Sequence, residues 1–481
     1  MRVWGLVLVV AGAGACSPVT QEPDAAGTGG ETLIGPDLNE GATSGTRLKL
    51  RYYDFGNVRE LVGVRDTLRN EDCSPTDWAD GKAYCVPTSR GSTVYANATC
   101  TQRIGEVYAP ATCTRPPPAY FLDYAYQACD GKSAHLYPRG TKLAVTQYWY
   151  KSSDGGCDGP YTSSSSEFYA LGAEIPVTEL AATPITAPST TGRLGLRHYE
   201  SADGLRYPLS YRLHDALLGG DCYPMSDAPG SATGHCVPSN TASMFYYRDA
   251  ACTLSQATVG STCPKPTLAA KYGDCPYDAT RYFGVTSQQM PTTIYYESGG
   301  TCSATPASSF NNYYGVSSEV MLATTARTRG TGSGRLQPIH HTTPEGLRNR
   351  DYPLYDTQIG VECHARTQAD GSIACVPAAN GTQTFYTDAG CTSAIELMQV
   401  YRGETTCSPP PLPDYAIKYN QTSSCAYNYE VHRVGTMYTG PVYDKNGMAC
   451  SAVSTTNSIL YRVLGVVPQN ELAAGTLVTE P

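Results

Sequence analysis

Three histidines lie near one another in the chain: His340, His341 and His364. Imidazoles so spaced could hold a metal ion. Adjacent residues on a strand face opposite ways, however, so His340 and His341 are not expected to share one. His340 also aligns with His198 and Tyr52, and His341 with Tyr199 and Tyr53, as ring positions on a repeated strand. A second candidate is the recurring acid Asp66, Asp215 and Asp356. Three equivalent carboxylates around an axis could bind a hard cation, although aspartate at a strand end ordinarily caps a turn. The adjacent tyrosines Tyr246, Tyr247, Tyr295, Tyr296, Tyr313 and Tyr314 could form sugar-stacking platforms, with core packing as the ordinary role. HExxH, GxSxG and Walker-type loops are absent from the sequence. Paired carboxylates would raise glycosidase chemistry, but an enzyme needs a unique constellation, and here the notable polar residues recur three times. No catalytic residue, metal ligand or cofactor is assigned from the sequence.

The elements that must position these residues are organised by cysteine. Of 19 cysteines, 18 form three sets of six. They are Cys73, Cys85, Cys100, Cys113, Cys129 and Cys157; Cys222, Cys236, Cys252, Cys263, Cys275 and Cys302; and Cys363, Cys375, Cys391, Cys407, Cys425 and Cys450. Zinc clusters need close C-x2-C pairs, which these spacings do not supply. Nine disulfides are expected, three inside each repeat and none between repeats. Six cysteines allow 15 connectivities. The order first to second, third to fourth and fifth to sixth is favoured here, with a turn at Asp80-Gly81, Gly234 and Asp370-Gly371 bringing the first pair together.

Repeats begin in phase at Arg47, Arg193 and Arg335, giving units 47–192, 193–334 and 335–481 of about 145 residues. An acid precedes each first cysteine (Asp72, Asp221, Glu362), and each second cysteine opens Cys-Val-Pro. The third follows Asn97, Asp249 or Asp388 by three residues and precedes a threonine. A weaker echo, aromatic-turn-cysteine, recurs within each unit before its third and sixth cysteines. Short runs rich in tyrosine, threonine and valine, separated by turn signals, make the fold all-β. About eight strands per unit are consistent with a six-bladed β-propeller, two blades to a unit, closed by the strand at Arg47 beside those near Ile459 to Val466. The alternative is three disulfide-stapled β domains in tandem.

Residues 1–15 read as a signal peptide: Arg2, an apolar run, then Ala13-Gly14-Ala15. That run is too short to span a bilayer. Ala13-Gly14-Ala15-Cys16 resembles a bacterial lipobox, and a lipidated Cys16 leaves an even number of cysteines to pair. Residues 16–46, rich in Gly, Thr, Ala and acid, read as a flexible tether. Charged residues are 16% and the net charge is −9, without a basic block, which argues against nucleic acid as a partner. Cysteine pairing at this density implies an oxidising compartment.

Cys16 together with the Cys-Val-Pro and aromatic-turn-cysteine elements over residues 47–481 resembles uncharacterised cysteine-rich repeat lipoproteins of Gram-negative bacteria. The resemblance implies an outer-membrane lipoprotein of the cell envelope, facing periplasm or exterior and held by its lipid anchor. It supplies no activity. The expected function is non-enzymatic: a rigid β scaffold for recognition of glycan or surface protein. The alternatives are a hydrolase of an extracellular polymer and a purely structural envelope protein.

Overall fold

The computed structural model describes residues 41–481 except 79, 81, 111, 113, 115, 126–132, 152–155, 191, 210–211, 228–230, 261–264, 274, 276–279, 299–300, 310, 331–333, 404–406, 408–410, 424 and 447–448. The signal, Cys16 and most of the tether therefore lie outside the described residues. The fold is all-β. In unit 1 the strands Leu48–Asp54, Arg59–Asp66, Glu71–Asp77 and Ala83–Pro87 form an antiparallel meander. Unit 3 repeats it with Leu336–Thr342, Arg348–Asp356, Val361–Thr367 and Ile373–Pro377. In unit 2 the first hairpin is split, with Leu194–Leu196 and Leu213–Asp215 at its base and His198–Glu200 and Arg206–Pro208 at its tip.

The fifth strand of each unit comes late in sequence and belongs to two units. Ala473–Thr479 pairs with Ile373–Pro377 of its own unit on one edge and with Leu48–Asp54 of unit 1 on the other. Thr324–Arg329 likewise joins unit 2 to unit 3. Between units 1 and 2 the same role falls to residues 181–190, where Ala181–Ala182 pairs with unit 1 and Ser189–Thr190 with unit 2. Pro184 and Pro188 interrupt that strand, because proline cannot donate to a ladder. The central strands thus form one 16-stranded sheet, and its two end strands, Ala181–Ala182 and Ser189–Thr190, are joined through the chain between them to complete the circuit.

Two expectations are corrected by this circuit. A six-bladed propeller would keep its four-stranded blades separate, and three tandem domains would not share strands. Here units 2 and 3 and units 3 and 1 share a strand, and residues 181–190 pair with unit 1 at one end and with unit 2 at the other. Closure does involve the first strand, but its partner is Ala473–Thr479 and not the strand Ser458–Val466. The end of the expected tether is also ordered. Thr43 bridges to Arg206, and the Ser44 hydroxyl meets Glu480 at 2.7 Å.

Between its fourth and fifth strands each unit carries a small barrel. In unit 1, Arg90–Tyr95 pairs with Arg103–Tyr108, which pairs with Ser166–Leu171. The circuit continues through Ser133–Leu143 and Tyr120–Ala125, which returns in parallel to Arg90–Tyr95. A hairpin, Tyr148–Lys151 with Cys157–Tyr161, hangs from Arg90–Tyr95. The aromatic-turn-cysteine echo therefore marks two neighbouring hairpins, not two blades.

That adjacency corrects the disulfide order. First does pair with second: Cys73–Cys85, Cys222–Cys236 and Cys363–Cys375. Third pairs with sixth instead of fourth: Cys100–Cys157, Cys252–Cys302 and Cys391–Cys450. The third cysteine takes a left-handed φ, 49° at Cys100, 51° at Cys252 and 49° at Cys391. The turn holding it is built by Asn97, Asp249 or Asp388, whose side chain accepts backbone N–H bonds from the following residues at 2.6–3.2 Å. Cys275–Cys407 joins the barrel of unit 2 to that of unit 3, against the expectation of no bridge between repeats.

Three small cores lie inside the circuit, each completed by its neighbour. Leu48, Leu50, Val64 and the Cys73–Cys85 bridge of unit 1 receive Leu205 from the hairpin tip of unit 2. Unit 3 receives Val58 of unit 1, and Leu347 of unit 3 packs on the core of unit 2. Leu205 is 1% exposed, so Leu205→Ala should cost about 3 kcal/mol through lost burial and the cavity left behind. Urea unfolding of the variant checks this. If the tip were mere surface decoration, the midpoint would stay where it is.

Candidate functional site

The sequence-selected acids are structural. Asp66, Asp215 and Asp356 are fully buried, and each pairs with the arginine that opens its unit. The Arg47–Asp66, Arg193–Asp215 and Arg335–Asp356 contacts are 2.6, 2.7 and 2.8 Å. Each carboxylate also accepts backbone N–H bonds in the turn beyond it, from Leu68, Leu217 and Gln358 at 3.0 Å. The same arginines reach the carbonyls of Glu179, Met321 and Glu471, just ahead of the fifth strands. The acids before the first cysteines are likewise engaged, Asp72 by Arg51 and Arg65, Asp221 by Arg197, and Glu362 by Arg327.

The histidines do not converge. His340 is fully buried and bonded to Arg348 at 3.0 Å. His198 meets Arg206 at 3.3 Å, and Arg59 lies 5.6 Å from the Tyr52 ring centre. The position thus holds a ring against an arginine in all three units. His341 faces Asp351 at 3.4 Å. Burial opposes ionisation of Asp351, but His341 and Arg327 outweigh it and hold the carboxyl down at about 2. Among the described residues no group of three or more His, Cys, Asp or Glu could hold a metal ion. The tyrosine pairs of unit 2 are mostly packed inward. Tyr313 and Tyr314 are buried, Tyr246 stacks edge-on against Tyr313, and Tyr296 alone of the six is exposed.

A cleft of about 280 Å³ opens elsewhere, between the central strands of unit 3 and the barrel of that unit. Its walls are His364, Arg366, Asn380, Ile417, Tyr419 and Tyr429, with Val376–Ala379 forming the base. Val361–Thr367 presents His364 and Arg366 on alternate positions of one face. The paired strands Tyr415–Gln421 and Tyr427–Met437 place Tyr419 opposite Tyr429. These rings meet edge to face, 5.7 Å apart at 74°, and Tyr419 is 53% exposed. The Arg366 guanidinium lies 5.9 Å from the Tyr429 ring centre. Gln368 accepts the Tyr429 N–H at 2.9 Å and Asn428 accepts that of Ala369 at 3.1 Å, locking the barrel to the central sheet.

His364 stacks on Tyr352 with ring centres 4.5 Å apart, and its Nδ1 is buried without a hydrogen-bond partner. Burial, helped by Arg366 and opposed by Asp351, pushes its pKa down to about 4. A larger opening of about 490 Å³ in unit 1 is walled by Arg47, Leu68, Arg69, Tyr120, Thr178 and Glu179. It surrounds one of the repeated structural ion pairs.

What sets the unit 3 cleft apart is departure from threefold repetition. Counting from the first cysteine, His364 corresponds to Ser74 and Tyr223, and Arg366 to Thr76 and Met225. Tyr429, opposite Tyr419, takes the place of Ala134, opposite Tyr124. The sequence signal was available in these departures, but attention to what repeats passes over what does not.

The match to known families covers residues 29–471. The chain belongs to DUF7481, a family of unknown function. No curated protein and no solved structure matches it. Seven disulfides between described cysteines place the chain in an oxidising extracellular or envelope compartment. Among the described residues no helix is long and apolar enough to cross a membrane.

The buried histidines set a pH dependence. His198 is also lowered to about 4, by burial and then by Arg206. Unfolded, both rings take a proton near their ordinary value of 6.5. Between these values the unfolded chain binds more protons, so stability falls as pH drops from about 6.5 toward 4 and these groups add nothing further below that. Thermal unfolding across this window should show the decline, and His364→Asn should make it shallower. An unchanged slope would show that His364 is already charged in the fold.

Proposed function

We propose that this protein is a non-enzymatic envelope lipoprotein whose closed β scaffold displays a recognition site for glycan in the unit 3 cleft. The observation that carries the reading is the clustering of Tyr419, Tyr429, Arg366 and Asn380 in one cleft, where Arg366 and Tyr429 depart from the residues at the matching positions of unit 1. Sugar rings present apolar C–H faces that lie on aromatic rings, and hydroxyls that need fixed polar partners. Tyr419 supplies an exposed face, and Arg366 and Asn380 supply donors. A site of a few hundred Å³ suits a terminal sugar better than a long chain. The described residues of the wall include no carboxylate, a set that favours binding over glycosidic cleavage, which uses two flanking acids.

Anchoring rests on the leader. Ala13-Gly14-Ala15-Cys16 offers a lipidation site, and Cys16 is the cysteine left over from the three sets of six. A diacylated or triacylated Cys16 exceeds what stable membrane attachment needs. An outer-membrane position, facing periplasm or exterior, follows from that anchor together with the oxidising compartment.

On a glycan array, residues 41–481 should retain a defined set of sugars, and Tyr419→Ala should lower affinity about tenfold, corresponding to roughly 1.4 kcal/mol. Equal retention by wild type and variant would move recognition to another surface. Mass spectrometry of protein isolated from its native envelope should find Cys16 as the first residue carrying acyl chains. An unmodified Cys16 would remove the anchor from this reading.

A further inference from the structure

Fifteen described cysteines are all disulfide-bonded. Fourteen of them account for the seven bonds given above, and Cys425 is the fifteenth. The other cysteines, Cys16, Cys113, Cys129 and Cys263, are outside the described residues. The bond Cys275–Cys407 supplies the rule for choosing. It links the fifth cysteine of unit 2 to the fourth cysteine of unit 3. Advancing that relation round the ring pairs the fifth of unit 3, Cys425, with the fourth of unit 1, Cys113. Advancing it once more pairs Cys129 of unit 1 with Cys263 of unit 2.

An independent contact supports the first of these pairs. The backbone N–H of Thr114 donates to the carbonyl of Ser423 at 2.6 Å. The residue after Cys113 thus touches the residue two before Cys425, although they are more than half the chain apart. Cys425 itself holds a left-handed φ of 61° in the turn that follows. Its N–H donates to the Thr422 carbonyl at 3.0 Å, so a local turn fixes its position.

We propose that Cys113–Cys425 and Cys129–Cys263 complete a covalent ring of the three barrels, concentric with the hydrogen-bonded ring of the central strands. In each bond two thiols lose two protons and two electrons to form one S–S link. The acceptor is a disulfide-donating oxidoreductase of the oxidising compartment, which leaves as a dithiol. The first and last units become covalently joined near both ends of the repeat array. A backbone cut anywhere between Cys100 and Cys450 would then release no fragment until the disulfides are reduced. For a protein displayed outside the cytoplasm this is a device against proteolysis.

The test is a non-reducing digest of the folded, oxidised chain at acidic pH, where thiol exchange is suppressed, followed by mass mapping. The expected result is one linked peptide pair holding Cys113 and Cys425 and one holding Cys129 and Cys263. A Cys113–Cys129 bond, a Cys129–Cys425 bond or free thiol at any of the four overturns the ring. A second measurement needs no variant. A single proteolytic cut between Cys157 and Cys222, a stretch that none of the seven bonds above spans, should leave the chain at full mass on a non-reducing gel and give two fragments after reduction. Fragments already separate before reduction would overturn the proposal.

Discussion

The fold depends on one shared element, the fifth strand that each unit lends to the next. A strand edge left bare exposes backbone N–H and C=O groups, which must find partners or invite association. No unit can satisfy its own two edges with the four strands of its meander. The late strand closes its own unit on one side and the first strand of the neighbour on the other. Because Ala473–Thr479 performs this for units 3 and 1, closure turns on the pairing of the first strand of unit 1 with the last strand of unit 3. The apolar plugs run the opposite way, each unit filling the core of the unit before it in the ring, so hydrogen bonding and core packing tie the same three units into a cycle from both sides.

This arrangement explains the distribution of polar residues. Each unit keeps a small core, and a small core tolerates a buried carboxylate only when it is paired and bonded. The opening arginine of each unit meets that requirement, and at the same time reaches the carbonyl ahead of the fifth strand. One guanidinium thus joins the start of the meander, the end of its second strand and the approach of the strand that closes the ring. Residues repeated three times are committed to such tasks. The cleft proposed for recognition is walled instead by residues that do not repeat, His364, Arg366 and Tyr429 of unit 3.

Much of this was legible in the sequence, for reasons that are local. Strand character follows from tyrosine, threonine and valine runs between turn residues. The unit boundaries at Arg47, Arg193 and Arg335 coincide with the arginines of the buried ion pairs. The hairpin disulfides follow from short loops with a turn between their cysteines. The cleft was less legible, because its walls come from the central sheet and from a barrel more than 40 residues further along.

By itself, then, the sequence determined the all-β class, the three units and their phase, the first disulfide of each unit and the oxidising compartment. All of these rest on interactions between residues near in the chain or on composition. Only the tertiary structure decided that the units share strands, that the third cysteine meets the sixth, and that Cys275 of unit 2 bridges to Cys407 of unit 3. Strand pairing has no sequence preference strong enough to name a partner far along the chain. The choice is made by closure, since pairing the late strands with neighbouring units covers edges that the meanders leave bare, completes the shared cores and brings Cys275 to Cys407.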